Sequence, residues 1–107
     1  MQGGGSSVQS LVLLARQHQN NPDLLIRDIT EKQVRALQTR ISNMGLPFTR
    51  GTRLECLRTI LGYSKPVLST NDLTMADAMG ILDMDNRDFT SLFVWAMVEL
   101  TTYGVQI

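Results

Sequence analysis

Apolar residues recur every three or four positions along most of the chain, which is the spacing of amphipathic helices. The pattern predicts helices at 8–18, 30–44, 53–61, 73–82 and 87–103. No convincing pair of strands is found. The predicted fold class is therefore all-α, a compact bundle of about five short helices in a single domain.

Residues that favour helix ends mark several boundaries. Thr30 and Gln33 fit a capping box, in which each side chain accepts a hydrogen bond from the other's backbone N–H. Thr52 is predicted to cap the 53–61 helix. Gly45 and Gly62 follow two of the helices, where a left-handed glycine ends a helix.

Two further stretches are less regular. Asn20 to Asp23 predicts a turn, followed by a short extended or turn segment at 24–29. Thr74 and Asp77 form another capping pair at the start of the fourth predicted helix. Gly80 lies inside that helix, where it predicts either close packing against a neighbour or an early helix end.

The last predicted helix is apolar all round over 92–98. Such a helix lies in the core or is covered by another molecule. Because a domain this small has few elements to surround it, part of the helix is predicted to face a partner or a second copy. The candidate interface residues are Phe93, Val94, Trp95 and Val98.

Composition limits the setting in which the chain works. The apolar run at 92–98 is far shorter than the about 20 residues of a membrane span, so no membrane partner is predicted. Residues 1–7 are predicted to be a flexible Gly/Ser leader without signal-peptide character, and 8–107 a helical domain. A cytoplasmic location is expected.

No enzymatic chemistry is predicted. Cys56 and His18 are the single cysteine and the single histidine, so a disulfide within the chain or a Cys/His zinc site is not expected. Both residues are interpreted as structural, and catalytic residues, metals and cofactors are predicted to be none.

Charge is segregated along the chain despite a formal net charge of zero. Between Arg27 and Lys65 the chain has eight basic residues and three acidic ones. From Pro66 onward it has one basic residue and six acidic ones. A cationic helical surface is suited to acidic partners. The predicted partner-binding residues are Lys32, Arg35, Arg40, Arg50, Arg53 and Arg58.

Four segments between residues 29 and 83 together form a further pattern. They are ITEKQV at 29–34 followed by Leu37, MGL at 44–46, LxxLxxILGYS at 54–64 and SxxDLTxxDA at 69–78. The pattern resembles the small helical C-terminal module of phage single-strand annealing proteins of the Red-beta and RecT type. The resemblance implies a docking module for proteins of phage DNA recombination, among them a recombination exonuclease and a single-strand-binding protein held by its acidic, aromatic-ended tail.

The sequence is therefore compatible with three functions. The first is a non-enzymatic protein-protein interaction module that docks an acidic protein segment on the basic residues. The second is a nucleic-acid-binding domain that uses the same residues. The third is a homo-oligomeric assembly domain built through the apolar C-terminal helix.

Overall fold

The helices account for most of the chain in a computed structural model that describes residues 8–102, apart from the side chain of Leu25. They are α1 (Val8–Ala15), α2 (Pro22–Leu25), α3 (Glu31–Asn43), α4 (Arg50–Leu61), α5 (Met75–Leu82) and α6 (Asn86–Thr102), with 3₁₀ turns at Gln17–Asn20 and Thr70–Asp72. The described residues contain no β-strand, only an isolated bridge between Asp28 and Thr74. The all-α prediction is confirmed. Residues 1–7 and Tyr103, for which a leader and a helix end were predicted, lie outside the described residues.

The segment between α1 and α3 differs from its prediction. α1 ends at Ala15 and continues as the 3₁₀ turn Gln17–Asn20, so the first helix is shorter than expected. The Asn21 side chain then accepts a hydrogen bond from the Asp23 N–H and caps α2, with Pro22 in the first turn. An asparagine cap followed by proline favours a helix start. The predicted turn at 20–23 and the predicted extended or turn segment at 24–29 are therefore wrong for Pro22–Leu25, which form a helix, because the cap at Asn21 was overlooked.

The capping box at the start of α3 is confirmed. The Thr30 hydroxyl accepts from the Gln33 N–H at 3.1 Å, and the Gln33 side-chain oxygen accepts from the Thr30 N–H at 3.0 Å. Gly45 follows the helix with a φ of 71°, a conformation that glycine adopts without steric cost. Local sequence therefore sets both ends of α3.

α4 begins earlier than predicted, at Arg50. Its cap is Thr49, whose hydroxyl accepts from the Thr52 N–H at 3.1 Å and lies 2.9 Å from the Thr52 hydroxyl. The predicted cap, Thr52, is instead a buried residue of the first turn. Both threonines satisfy the cap preference, and the exposed Gly51 between them hid the earlier start.

α1 and α5 touch through their backbones at Gly80. A Cβ atom built on Gly80 would lie 2.1 Å from the carbonyl oxygen of Ala15. Real Cβ atoms do not approach an oxygen so closely, so the contact requires glycine. α5 continues to Leu82, which makes close packing the correct one of the two predicted explanations for this glycine.

Aromatic rings of α6 form the centre of the core. Phe89 and Phe93 are buried, and their ring centroids lie 4.9 Å apart. Phe48, from the loop before α4, meets Phe93 edge-on at 6.0 Å. α6 packs chiefly on α4 and also on α1, and it leaves Val94 and Val98 exposed.

Candidate interaction surfaces

The six basic residues predicted to bind a partner differ in how strongly the protein's own groups engage them. Lys32 and Arg35 are exposed on the first turns of α3. Arg35 lies 3.9 Å from the Glu31 carboxylate, and the two side chains are 79% and 94% exposed. An ion pair this exposed contributes little to stability, so Lys32 and Arg35 can still bind a partner.

Arg40 is used inside the protein. Its guanidinium donates to the carbonyl oxygens of Leu82 and Met84 at 3.0 and 2.7 Å, and to the Asn86 side-chain oxygen at 3.0 Å. It also lies 4.4 Å from the centre of the Phe89 ring. A cation at the C-terminal end of α5 is favoured by the helix dipole and by the aromatic face. A partner would have to compete with these contacts.

Arg50 and Arg53 lie on the first turns of α4. Arg50 is exposed, and its Nη2 atom donates to the Leu68 carbonyl oxygen at 2.9 Å. Arg53 is half-buried, and its buried Nε atom has no hydrogen-bond partner among the described residues. Arg50 therefore keeps donors at the surface, whereas Arg53 is partly withdrawn from it.

Arg58 is paired within its own helix. Its Nε atom donates to the Glu55 carboxylate at 2.9 Å, and both side chains are about two-thirds buried. Its Nη1 atom donates to the Tyr63 carbonyl oxygen at 3.3 Å. The positive charge of Arg58 is thus balanced by a neighbouring carboxylate before any partner arrives.

The six basic residues do not share one groove on the described surface. Arg40, Arg50 and Arg58 line three different grooves. At 100° per residue, Arg40 is turned about 140° around α3 from Arg35. The structure therefore places Lys32 beside Arg35 and directs Arg40 and Arg58 toward other neighbours.

The four predicted interface residues of α6 also separate. Phe93 is fully buried in the core and therefore contributes nothing to the surface. Val94 and Val98 are 43% and 58% exposed. They border an uncharged groove of about 480 Å³, lined by Leu46, Val94, Met97, Val98, Thr101 and Thr102. We call this the valine groove.

Trp95, the fourth of these residues, lines a different groove between the end of α4 and the last turns of α6. This Trp95 groove has a volume of about 420 Å³ and is lined by Arg58, Thr59, Gly62, Tyr63, Trp95, Glu99 and Leu100. It joins one residue of the predicted basic set, Arg58, with one of the predicted apolar set. Tryptophan, tyrosine and arginine supply much of the binding energy at protein interfaces, and all three occur here.

Two residues that the sequence did not single out hold the end of α4 next to this groove. The Arg16 guanidinium donates to the carbonyl oxygens of Ile60 and Thr59 at 2.8 and 3.1 Å. Gln19 donates to the Leu61 carbonyl oxygen at 3.1 Å. The last carbonyls of a helix have no partner within it, so these side chains satisfy them. Because they come from a distant segment, no local motif predicts them.

Asp77 is fully buried and accepts hydrogen bonds from three sides. Gln19 Nε2 donates to Oδ1 at 2.9 Å, the Thr74 N–H donates to Oδ2 at 3.0 Å, and the Tyr63 hydroxyl also donates to Oδ2. The Thr74–Asp77 capping box is confirmed, whereas nothing in the sequence predicted the bonds to Gln19 and Tyr63. Burial is the main cause, and the hydrogen bond to Asp77 the next, of a pKa of Tyr63 well above its usual value, so the Tyr63 hydroxyl stays protonated.

Cys56 and His18, the two residues interpreted as structural, lie in different surroundings. Cys56 is fully buried, and burial, with a smaller effect of Glu55, raises its pKa to about 12. Almost no thiolate is present at neutral pH, and the thiolate is the reactive form. His18 Nε2 lies 3.7 Å from the Asp83 carboxylate.

Residues 8–102 hold no cluster of three or more His, Cys, Asp or Glu side chains suited to a metal ion. In the same residues, every helix is too short or too polar to cross a membrane. Comparison with protein-family models, curated proteins and solved structures finds no match to the chain.

Proposed function

We propose that the chain is a non-enzymatic protein-interaction module that docks an acidic segment of a partner protein on the exposed basic residues of α3 and α4. The observation that supports this proposal is that Lys32, Arg35 and Arg50 keep exposed side chains. Their contacts within the protein are one exposed ion pair and one hydrogen bond to a carbonyl. Carboxylates of a partner would meet little competition for these cations.

The segment from Leu68 to Leu73 is hydrogen-bonded both to Arg50, at the start of α4, and to Ile29, just before α3. Its first residue accepts the hydrogen bond from Arg50, and the Leu73 carbonyl oxygen accepts from the Ile29 N–H, just before α3. The N-terminal ends of α3 and α4 therefore border the same stretch of chain. Helix N-termini carry partial positive charge, which adds to the attraction that the side chains exert on an acidic segment.

The resemblance to the annealing-protein module suggests the kind of partner. It favours an acidic tail of the single-strand-binding type, a setting in phage DNA recombination and a cytoplasmic location. Because Arg40 and Arg58 are engaged by the protein itself, the proposed contact set is narrower than the six predicted residues. It consists of Lys32, Arg35 and Arg50, with Arg53 at its edge.

The proposal is tested by titrating the protein with a short synthetic peptide of aspartates that ends in phenylalanine, followed by NMR. The signals of Lys32 and Arg35 should move and saturate. Reversing both residues to glutamate should weaken binding roughly tenfold, since attraction becomes repulsion. Arg87→Glu, an exposed cation at the start of α6, is the matched control and should bind as the wild type does.

Equal peptide affinity in the wild type and the double variant would refute docking at these residues. The same samples test the nucleic-acid alternative. That alternative predicts that a single-stranded oligonucleotide binds the wild type and that the logarithm of its affinity falls steeply and linearly with the logarithm of the salt concentration. If the oligonucleotide binds in this way and the peptide does not bind, nucleic-acid binding replaces the acidic-segment proposal.

Self-association is a second candidate function, favoured by the exposure of Val94 and Val98 beside the uncharged valine groove. A two-fold contact brings identical residues close together, and none of the described residues that line this groove carries a charge that would oppose it. The apparent mass in sedimentation velocity should rise with protein concentration, and Val98→Asp should abolish the rise. Thr39→Asp, at an exposed position of α3, should leave it unchanged. A constant mass for the wild type would eliminate this candidate.

A further inference from the structure

The electrostatic character of the Trp95 groove depends on which of its charges are already balanced. Arg58 is hydrogen-bonded to Glu55 and directs a second donor to the Tyr63 carbonyl oxygen. Arg16 lies behind Gly62, and its guanidinium is held by the Thr59 and Ile60 carbonyl oxygens at the negative end of α4. The charge of Arg58 is therefore balanced by a carboxylate, and the donors of Arg16 are occupied by backbone carbonyl oxygens.

Glu99 is the charged residue of the groove wall that has no ionic partner among the described residues. It is half-buried and lies one turn after Trp95 on α6, so the two side chains share a face of the helix. Within residues 8–102, the Glu99 carboxylate makes no ion pair or hydrogen bond. A half-buried carboxylate beside an aromatic ring favours a cationic neighbour.

Tyr63 adds to the same preference from the opposite wall. Its hydroxyl donates to Asp77, which is buried and makes no ion pair with a described residue. A phenol that donates to a carboxylate becomes richer in ring electron density, and this strengthens attraction of a cation to the ring face. Asp77 thus acts as a positioning residue, because it fixes the Tyr63 ring at the edge of the groove.

We propose that the Trp95 groove binds a basic side chain, lysine or arginine, of a partner protein, between the aromatic rings of Trp95 and Tyr63 and the carboxylate of Glu99. A volume of about 420 Å³ is at the size of small ligand sites. This site goes beyond the proposed function, since it recognises the opposite charge on a different part of the surface. A partner segment that carries both signs of charge would be able to use both sites.

The test uses the single tryptophan of the chain, because its indole N–H gives one NMR signal at the proposed site. The probe is a capped Gly-Lys-Gly peptide. Two comparison peptides carry norleucine or glutamate in place of the lysine; norleucine has a similar apolar stem without the charge. We expect the Trp95 signal to move and saturate with the lysine peptide alone. Glu99→Gln should weaken binding about fivefold.

Glu31→Gln is the matched control, since Glu31 is an exposed carboxylate on α3. It should leave the lysine-peptide affinity unchanged. Equal binding of the norleucine peptide, or an unchanged affinity of Glu99→Gln, would show an apolar site and overturn the proposal. Preference for the glutamate peptide would assign the groove to Arg58 and also overturn it. So would the absence of any shift of the Trp95 signal. None of these results depends on the acidic-segment experiment, whose readout is on α3.

Discussion

Replacing Gly80 by alanine should destabilise the protein by about 3 kcal/mol, although alanine is the better helix former by about 1 kcal/mol. The added carbon would lie 2.1 Å from the Ala15 carbonyl oxygen, 2.8 Å from its carbonyl carbon and 3.2 Å from the Leu14 carbonyl oxygen. These are backbone atoms, so no side-chain rotation relieves the overlap. α1 and α5 must separate, and the apolar contacts between them must loosen. Chemical denaturation followed by circular dichroism measures the loss.

Gly51→Ala is the control, because it adds the same carbon to another helix without a clash. The nearest atom to a Cβ at Gly51 is the Thr49 hydroxyl oxygen at 3.9 Å. This substitution should stabilise the protein by about 0.5–1 kcal/mol through helix propensity alone. The two substitutions should therefore change the free energy of unfolding in opposite directions. A Gly80→Ala protein as stable as the wild type would contradict the close contact of α1 with α5.

The features that the sequence predicted correctly are those in which both interacting groups lie a few residues apart. The capping boxes of Thr30 with Gln33 and of Thr74 with Asp77 are of this kind, as is the glycine that ends α3. The start of α4 was missed because Thr49 and Thr52 are equally suitable caps, and tertiary contacts choose between them. Thr52 is buried in the folded protein, and a local sequence pattern contains no information about that burial.

At the candidate sites too, the contacts between distant segments could not be predicted from the sequence. Charge counting identified an excess of basic residues between Arg27 and Lys65, but it could not show which cations the protein itself would use. Arg16 and Arg40 bind carbonyl oxygens at the ends of helices that lie more than 40 residues away in sequence. Arg58 and Trp95 were predicted separately, for different reasons. Their meeting in one groove depends on the packing of α4 against α6, which the apolar pattern does not specify.

Removal of the buried carboxylate at Asp77 should be the second large perturbation, about 4 kcal/mol for Asp77→Ala. The Thr74 N–H and the Tyr63 hydroxyl would lose their acceptor, and the Gln19 side-chain amide would keep only its bond to the Leu61 carbonyl oxygen. Unpaired polar groups in a buried site are costly because no water replaces the lost partner. Urea denaturation at neutral pH measures the loss. A second readout is the alkaline titration of tyrosine absorbance, in which the pKa of Tyr63 should move down toward its usual value.

Asp72→Ala separates the effect of capping from the effect of burial. Asp72 is also the acid of a capping box, with Ser69, and accepts from the Leu68 and Ser69 N–H groups at 3.0 and 3.1 Å. It is exposed, so water can replace it, and its loss should cost about 1 kcal/mol. The difference between the two variants measures what Asp77 contributes as the link between the 3₁₀ turn Gln17–Asn20, the end of α4 and the start of α5. Equal losses would mean that Asp77 acts as a cap alone, and that the Tyr63 wall of the Trp95 groove is held by other contacts.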